Sequence, residues 1–161
     1  MICLTHERTF TAIHESGHSV AYCRLGIDQT RVCIVPGNGM EGYNLVSAYV
    51  GDAVTALKHV LCALAGYGAA VAREGADTDF NTAAELISAW SLPGTLEEWT
   101  ATAISFMTTD ENIHAVELVT EALLEHETLE ADYIGGLVER ADGLPEHIWR
   151  QYVEWKYPDM L

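Results

Sequence analysis

Two histidines four residues apart, with a glutamate directly after the first, are the residues best suited to chemistry in this sequence. His14, Glu15 and His18 lie in the stretch "TAIHESGHSV", residues 11–20. Residues i and i+4 of a helix project from the same face, so both imidazoles can reach one ion. Zinc suits imidazole ligands, and Glu15, about 100° further round the helix, can reach a water molecule beside the ion. The pattern predicts a zinc-peptidase site with Glu15 as the catalytic base.

The alternative interpretation of this stretch is an ordinary surface helix with two solvated histidines. The neighbours favour burial instead, because Ile13, Val20 and Ala21 flank the motif. Buried neutral imidazoles need polar partners, and a metal ion is one such partner. Gly17, between the histidines, is expected to let another element approach the helix closely.

A catalytic zinc ion normally has three protein ligands, so a third ligand has to come from elsewhere in the chain. The extended motif that supplies a third histidine is excluded, because Ala21 and Arg24 occupy its places. An aspartate or glutamate from a later helix is the remaining option. The candidates are Asp52, Glu74, Asp77, Asp79 and Glu85.

Hydrophobic periodicity and turn residues predict one domain over residues 1–161, with a fold of the α+β class that is mainly α. A zinc-site region at about 1–92 holds zinc-peptidase helices and a small antiparallel sheet, and a C-terminal helical bundle follows at about 93–161. Asp52 and Thr78 are predicted helix caps. Ile113, Val116, Val119 and Leu123 are predicted to share one helix face. The predicted helices are about 8–25, 52–72, 78–90, 96–108, 111–127, 130–141 and 145–156, and the predicted strands are 31–36 and 43–50.

Composition and charge restrict the possible partners. Nearly half of the residues are apolar (49%), which is typical of a folded soluble protein, and the net charge is −16. Nucleic acid and anionic membranes would be repelled, whereas metal cations and basic peptides would not. The most apolar run, 60–72, is too short to cross a bilayer and is predicted to be a buried helix. The four cysteines form no C-x-x-C pair, and no signal peptide is evident, so we expect reduced thiols in a cytoplasmic protein.

Several segments resemble the peptidase domain of the FtsH-type ATP-dependent zinc metalloproteases, over about residues 9–138. "AIHESGHSVAY" resembles that family's "HEAGHA" helix, and "RVCIVPGNGMEGYN" resembles its following strand and glycine-rich turn. "LAGYGAAVARE" and "LLEHETLEADYI" are similar to two later helices of the family, and "GADTDF" is similar to its "GASNDL". The resemblance implies that Asp79 is the third zinc ligand, beside His14 and His18.

The sequence also departs from that family. It has no G-x-x-x-x-G-K-[ST] phosphate-binding loop, no recognisable AAA+ ATPase domain and no membrane anchor, so the family's ATP-driven unfolding does not carry over. We therefore expect a metallopeptidase that cuts unfolded or flexible polypeptides, either as a homo-oligomer or with a separate ATPase partner. Extended substrates are expected at a sheet edge formed by Gly39–Val46, unless this segment is a plain hairpin turn.

Two other functions are compatible with the sequence. The first is a non-catalytic peptide-binding or adaptor module derived from the peptidase fold, although such a module has no need of Glu15. The second is a zinc-free helical interaction protein, which only the acidic composition and four tryptophans would support. Those tryptophans are Trp90, Trp99, Trp149 and Trp155.

Overall fold

Six helices and three short strands make up the part of the chain that the structure describes. The computed structural model describes residues 2–37, 39, 41–47, 49–70 and 77–143, with side chains from residue 6 onward. The predicted α+β, mainly α, fold class is confirmed. In chain order the elements are α1 Ile2–Leu25, β1 Gln29–Cys33, β2 Tyr43–Val46, α2 Ala53–Ala69, α3 Asp77–Ala89, α4 Leu96–Met107, α5 Asp110–His126, β3 Thr128–Glu130 and α6 Ala131–Ala141.

The sheet is antiparallel throughout and has the order β2-β1-β3. The antiparallel pairing of the two predicted strands is confirmed, with Val32 of β1 opposite Asn44 of β2. The third strand was not predicted, because β3 is only three residues long and lies between two helices. Val32 is also opposite Leu129 of β3, so β1 is the central strand and β2 lies at an edge.

Several predicted element boundaries differ from the observed ones. Helix α1 begins at Ile2 rather than at about residue 8. Both strands end earlier than predicted, β1 at Cys33 and β2 at Val46. The β-branched residues continue past these ends, but only the residues that find a partner strand form the ladder.

The predicted helix cap at Asp52 is confirmed, and the one at Thr78 is wrong. The Asp52 carboxylate accepts a hydrogen bond of 2.7 Å from the Thr55 backbone amide at the start of α2. Helix α3 already begins at Asp77, so Thr78 lies inside its first turn. This start also places Asp79 in the first turn of α3, where a carboxylate is favoured by the helix dipole.

Helix α1 packs against α2, α5 and the sheet. The approach to α2 depends on Gly17, as the sequence predicted. A Cβ atom at Gly17 would lie 2.6 Å from the Cβ of Ala69 and 2.7 Å from the carbonyl oxygen of Ala65. Any larger side chain would separate α1 from α2.

The apolar run at 60–72 lies largely in α2, whose Val60, Cys62 and Leu64 are fully buried. None of the helices in the described part of the chain combines the length and the apolar character that crossing a membrane requires. Leu64 belongs to a cluster between α2, α3 and α4, against which Trp90 and Trp99 pack. These two tryptophans therefore give no support to an exposed interaction surface.

A larger cluster fills the space between α1, the sheet, α5 and α6. Val116, Val119 and Leu123 of α5 are buried in it, but Ile113 is 43% exposed, so its predicted place on the same face is wrong. At about 100° per residue, Ile113 is rotated about 80–120° from Val119 and Leu123. The predicted helix at 145–156, with Trp149 and Trp155, lies outside the described residues.

Candidate metal centre

Helix α1 directs the imidazoles of His14 and His18 towards a common point. Their Nε2 atoms are 3.0 Å apart, and the ring planes are nearly perpendicular, at 84°. Each ring therefore presents a nitrogen to the same small space. This is the arrangement that the four-residue spacing on one helix predicted.

Asp79 reaches the same space from α3. Its Oδ2 atom is 3.0 Å from Nε2 of His14 and 3.4 Å from Nε2 of His18. A tetrahedral zinc site has donor atoms about 3.3 Å apart, because its bonds to nitrogen and oxygen are about 2.0–2.1 Å long. The three observed separations are close to that value, and the donor types are those that zinc accepts. Side chains and geometry therefore fit a zinc ion.

The other acidic candidates for a third ligand do not join this group. Asp52 caps α2, and the side chains of Asp77 and Glu85 are exposed, away from the histidine pair. Glu74 lies outside the described residues. Within the part of the chain that the structure describes, His14, His18 and Asp79 form the one group of donors that could hold a metal.

The orientation of His18 is fixed by the backbone of α2. Its Nδ1 lies 2.7 Å from the carbonyl oxygen of Cys62, to which it donates a hydrogen bond. Donation from Nδ1 leaves Nε2 as the nitrogen that can bind a metal, a common arrangement for histidine ligands. Sequence reasoning did not find Cys62, because a carbonyl group is present at every position and carries no residue signal.

Gly66 of α2 provides the room that the two rings need. A Cβ atom there would lie 2.5 Å from Nε2 of His18 and 2.8 Å from Cε1 of His14. The glycine appears in the sequence within "LAGYG", but only the packing of α1 on α2 shows which side chains it faces.

Electrostatic interactions inside the group are strong. Burial alone would lower the pKa of His18, but the hydrogen bond and charge of Asp79, with the charge of Glu15, raise it to about 9. Burial alone would raise the pKa of Asp79, but the hydrogen bonds and charges of His14 and His18 hold it well below its usual range. Without a metal, the group of His14, His18 and Asp79 therefore holds a proton in the space where a divalent cation could bind.

Glu15 is 8% exposed and lies on the same cleft as the three donors. Burial raises the pKa of its carboxyl group, against the opposing effects of His18, His14 and a hydrogen bond from Asn44. That bond runs from Nδ2 of Asn44 to Oε2 of Glu15 and is 2.7 Å long. Asn44 was not predicted as a site residue, because no spacing in the sequence relates a strand residue to a helix so far away.

The cleft has a volume of about 690 Å³ and extends from the donor group along the β2 side of the molecule. Gly39, Glu41, Gly42 and Tyr43 contribute to its wall, all within the segment predicted as an edge for substrates. A Cβ atom at Gly42 would meet Cγ of Glu15 at 2.8 Å, so this glycine lets the strand approach the glutamate closely. The described lining residues include no lysine or arginine.

Comparisons with protein-family models and with curated proteins find no match to this chain. The similarity to the FtsH-type peptidases therefore stays a prediction from the quoted motifs. The geometry of His14, His18, Asp79 and Glu15 is independent of that similarity.

Proposed function

We propose that this protein is a zinc-dependent metallopeptidase that hydrolyses peptide bonds in unfolded or flexible polypeptides. The observation that carries the proposal is that two imidazoles of α1 and one carboxylate of α3 meet beside a buried glutamate. A binding site for zinc alone would need the three ligands but not Glu15. Burial of a further carboxylate beside the donors is costly and favours a role in the chemistry.

In this proposal zinc is held by Nε2 of His14, Nε2 of His18 and Oδ2 of Asp79. When bound, zinc supplies a Lewis acid that makes a water molecule more acidic and polarises the peptide carbonyl group. Glu15 accepts a proton from the attacking water on Oε1, since Oε2 is held by Asn44. It then delivers this proton to the nitrogen of the leaving amine. The raised pKa of Glu15 suits a group that must both accept and release a proton.

The position of the cleft beside β2 supports this substrate class. Among the described strands, β2 pairs with β1 alone, so within the described part of the chain its other edge has no partner strand, which supports addition of an extended peptide there. Only a segment without its own secondary structure can add to such an edge, which favours unfolded polypeptides. Peptides with basic side chains are favoured by Glu41, by the lack of lysine and arginine among the described lining residues, and by the net charge of −16.

Zinc content and two substitutions test the proposal. Protein purified without added zinc is analysed for metal, and the wild type, Glu15→Gln and His18→Ala are incubated with an unstructured peptide. A peptidase loses activity in both variants but loses zinc only in His18→Ala. Zinc binding with no cleavage by the wild type would instead indicate a zinc-holding adaptor module. Absence of stoichiometric zinc would refute the peptidase and leave a zinc-free adaptor or a helical interaction protein.

The substrate class has a separate test. Casein and a stably folded protein are incubated with the enzyme without ATP, and degradation of both at comparable rates would contradict the restriction to flexible chains. We also propose a cytoplasmic location, which is supported by Cys23, Cys33 and Cys62 being free thiols. Assembly as a homo-oligomer or with an ATPase partner stays a prediction.

A further inference from the structure

We propose that Asn44 is a positioning residue for Glu15 and that Ser19 holds Asn44 in its working orientation. This inference rests on the proposed peptidase function and adds two residues to its machinery. It is carried by a chain of short hydrogen bonds that connects the edge strand β2 to the helix that bears the glutamate.

The first part of this hydrogen-bond chain joins Asn44 to Glu15 at two points. Nδ2 of Asn44 donates a hydrogen bond of 2.7 Å to Oε2 of Glu15 and one of 3.2 Å to the backbone oxygen of the same residue. One amide nitrogen therefore ties the carboxylate to the backbone from which it extends. The carboxylate loses rotational freedom, and Oε1 is left as the oxygen without this hydrogen bond.

The second part of the hydrogen-bond chain fixes the orientation of the Asn44 amide. The Ser19 hydroxyl donates a hydrogen bond of 2.6 Å to Oδ1 of Asn44. An asparagine amide can rotate by half a turn and exchange its oxygen and nitrogen. With its oxygen engaged by Ser19, the amide must present its nitrogen to Glu15, whereas the opposite orientation would set an oxygen against the carboxylate.

The position of Ser19 separates positioning from substrate binding. Asn44 lines the cleft, so its replacement can also affect contacts with a peptide. Ser19 is fully buried and is not among the residues that line the cleft, so its hydroxyl reaches the site through its hydrogen bond to Asn44 rather than through contact with a peptide. A loss of rate in a Ser19 variant therefore reports on the orientation of the amide.

Peptide-cleavage kinetics of Ser19→Ala, Asn44→Ala and the double variant test whether this hydrogen-bond chain positions Glu15. We expect Ser19→Ala to lower kcat about 10–100-fold, the usual effect of losing a group that supports a site residue, with little change in KM or zinc affinity. The double variant should be no slower than Asn44→Ala, because interacting residues give non-additive effects. Independent, additive losses, or an unchanged kcat in Ser19→Ala, would overturn the proposal.

Ser16→Ala is the matched control. Ser16 is also a fully buried serine of α1, but its hydroxyl accepts a hydrogen bond of 3.0 Å from Thr120 of α5. Both variants remove one buried hydroxyl and should therefore lose a similar stability. Only Ser19→Ala should lower kcat, and an equal loss in Ser16→Ala would mean that general destabilisation explains both.

A measurement without turnover distinguishes failure of this inference from failure of the proposed function. In metal-free protein with isotope-labelled asparagine, the side-chain amide signal of Asn44 is assigned as the one missing from Asn44→Ala. It should move in both Glu15→Gln and Ser19→Ala but not in Ser16→Ala. If the Asn44 signal does not move in Ser19→Ala, the proposed positioning of Asn44 by Ser19 is refuted. If the signal moves as expected but the wild type cleaves no peptide, only the proposed peptidase function is refuted.

Discussion

Replacing Gly66 by alanine should disrupt metal binding while leaving the fold intact. The new Cβ atom would lie 2.5 Å from Nε2 of His18, whereas ordinary contact requires about 3.4 Å. The ring must therefore move by about 0.9 Å, more than the roughly 0.5 Å that a functional site tolerates. The ring cannot move freely, because the carbonyl oxygen of Cys62 holds Nδ1 at 2.7 Å. We expect zinc affinity to fall about 100-fold, the upper end for a lost supporting contact.

The effect of this substitution on stability should differ from its effect on zinc binding. Alanine in place of glycine within a helix is favourable by about 0.5–1 kcal/mol, which offsets part of the strain around the rings. The metal-free variant should therefore unfold at a urea concentration close to that of the wild type. Addition of zinc should raise the midpoint of the wild type more than that of the variant, because only tight binding to the folded state stabilises it at a given zinc concentration.

Competition against a chromophoric zinc chelator measures the affinity, and urea unfolding measures the stability. Gly135→Ala is the control, because Gly135 lies within α6 and a Cβ atom there would contact nothing within 4 Å. It should gain stability and keep its zinc affinity. Wild-type zinc affinity in Gly66→Ala would refute the proposed ligand geometry, since both histidine rings could then not occupy the places described.

Three further predictions concern protons, the base and the substrate. Because the pKa of His18 in the metal-free folded protein is about 9, its ring is charged at neutral pH and must lose its proton to bind zinc. Calorimetry in buffers of different ionisation enthalpy should therefore show release of about one proton near pH 7.5, and zinc affinity should rise with pH up to about 9; release of no proton would contradict the ion pair. Gly42→Ala places a Cβ atom 2.8 Å from Cγ of Glu15, so peptide cleavage should fall about 10-fold or more while chelator competition shows unchanged zinc affinity. Finally, kcat/KM for a lysine-containing peptide should exceed that for its glutamate counterpart about 10-fold at low ionic strength, and a ratio unaffected by added salt would exclude an electrostatic origin.

Local features of the sequence predicted the helical part of the site well. The spacing of His14 and His18 determines their common direction as soon as the segment is helical, and Gly17 between them indicated close approach of another element. The third, acidic ligand could not be predicted in this way, because the local sequence pattern left five candidates open and only the resemblance selected Asp79. Its place beside the histidines depends on how α3 packs, which involves residues far apart in the chain.

The supporting residues could not be predicted for the same reason. Asn44 and Gly66 act through atoms that approach α1 only after β2 and α2 have packed against it. Strand β3 follows Glu127, which has a left-handed backbone conformation with φ 63°, although glycine is the residue that usually signals such a turn. Without that signal, the sequence indicated a helix–helix connection and no additional strand.

The central position of β1 determines how short a functional fragment of this protein can be. A fragment containing residues 1–92 would include all four proposed catalytic and metal-binding side chains, yet it would lack β3, which pairs with the second edge of β1. It would also expose the side of α1 that α5 covers. The far end of the described chain returns to this helix as well, where Asp142 accepts two hydrogen bonds from the Arg24 guanidinium group. Truncation for crystallisation or engineering should therefore retain everything through Asp142, because the reacting groups and the scaffold that aligns them are interleaved along the polypeptide.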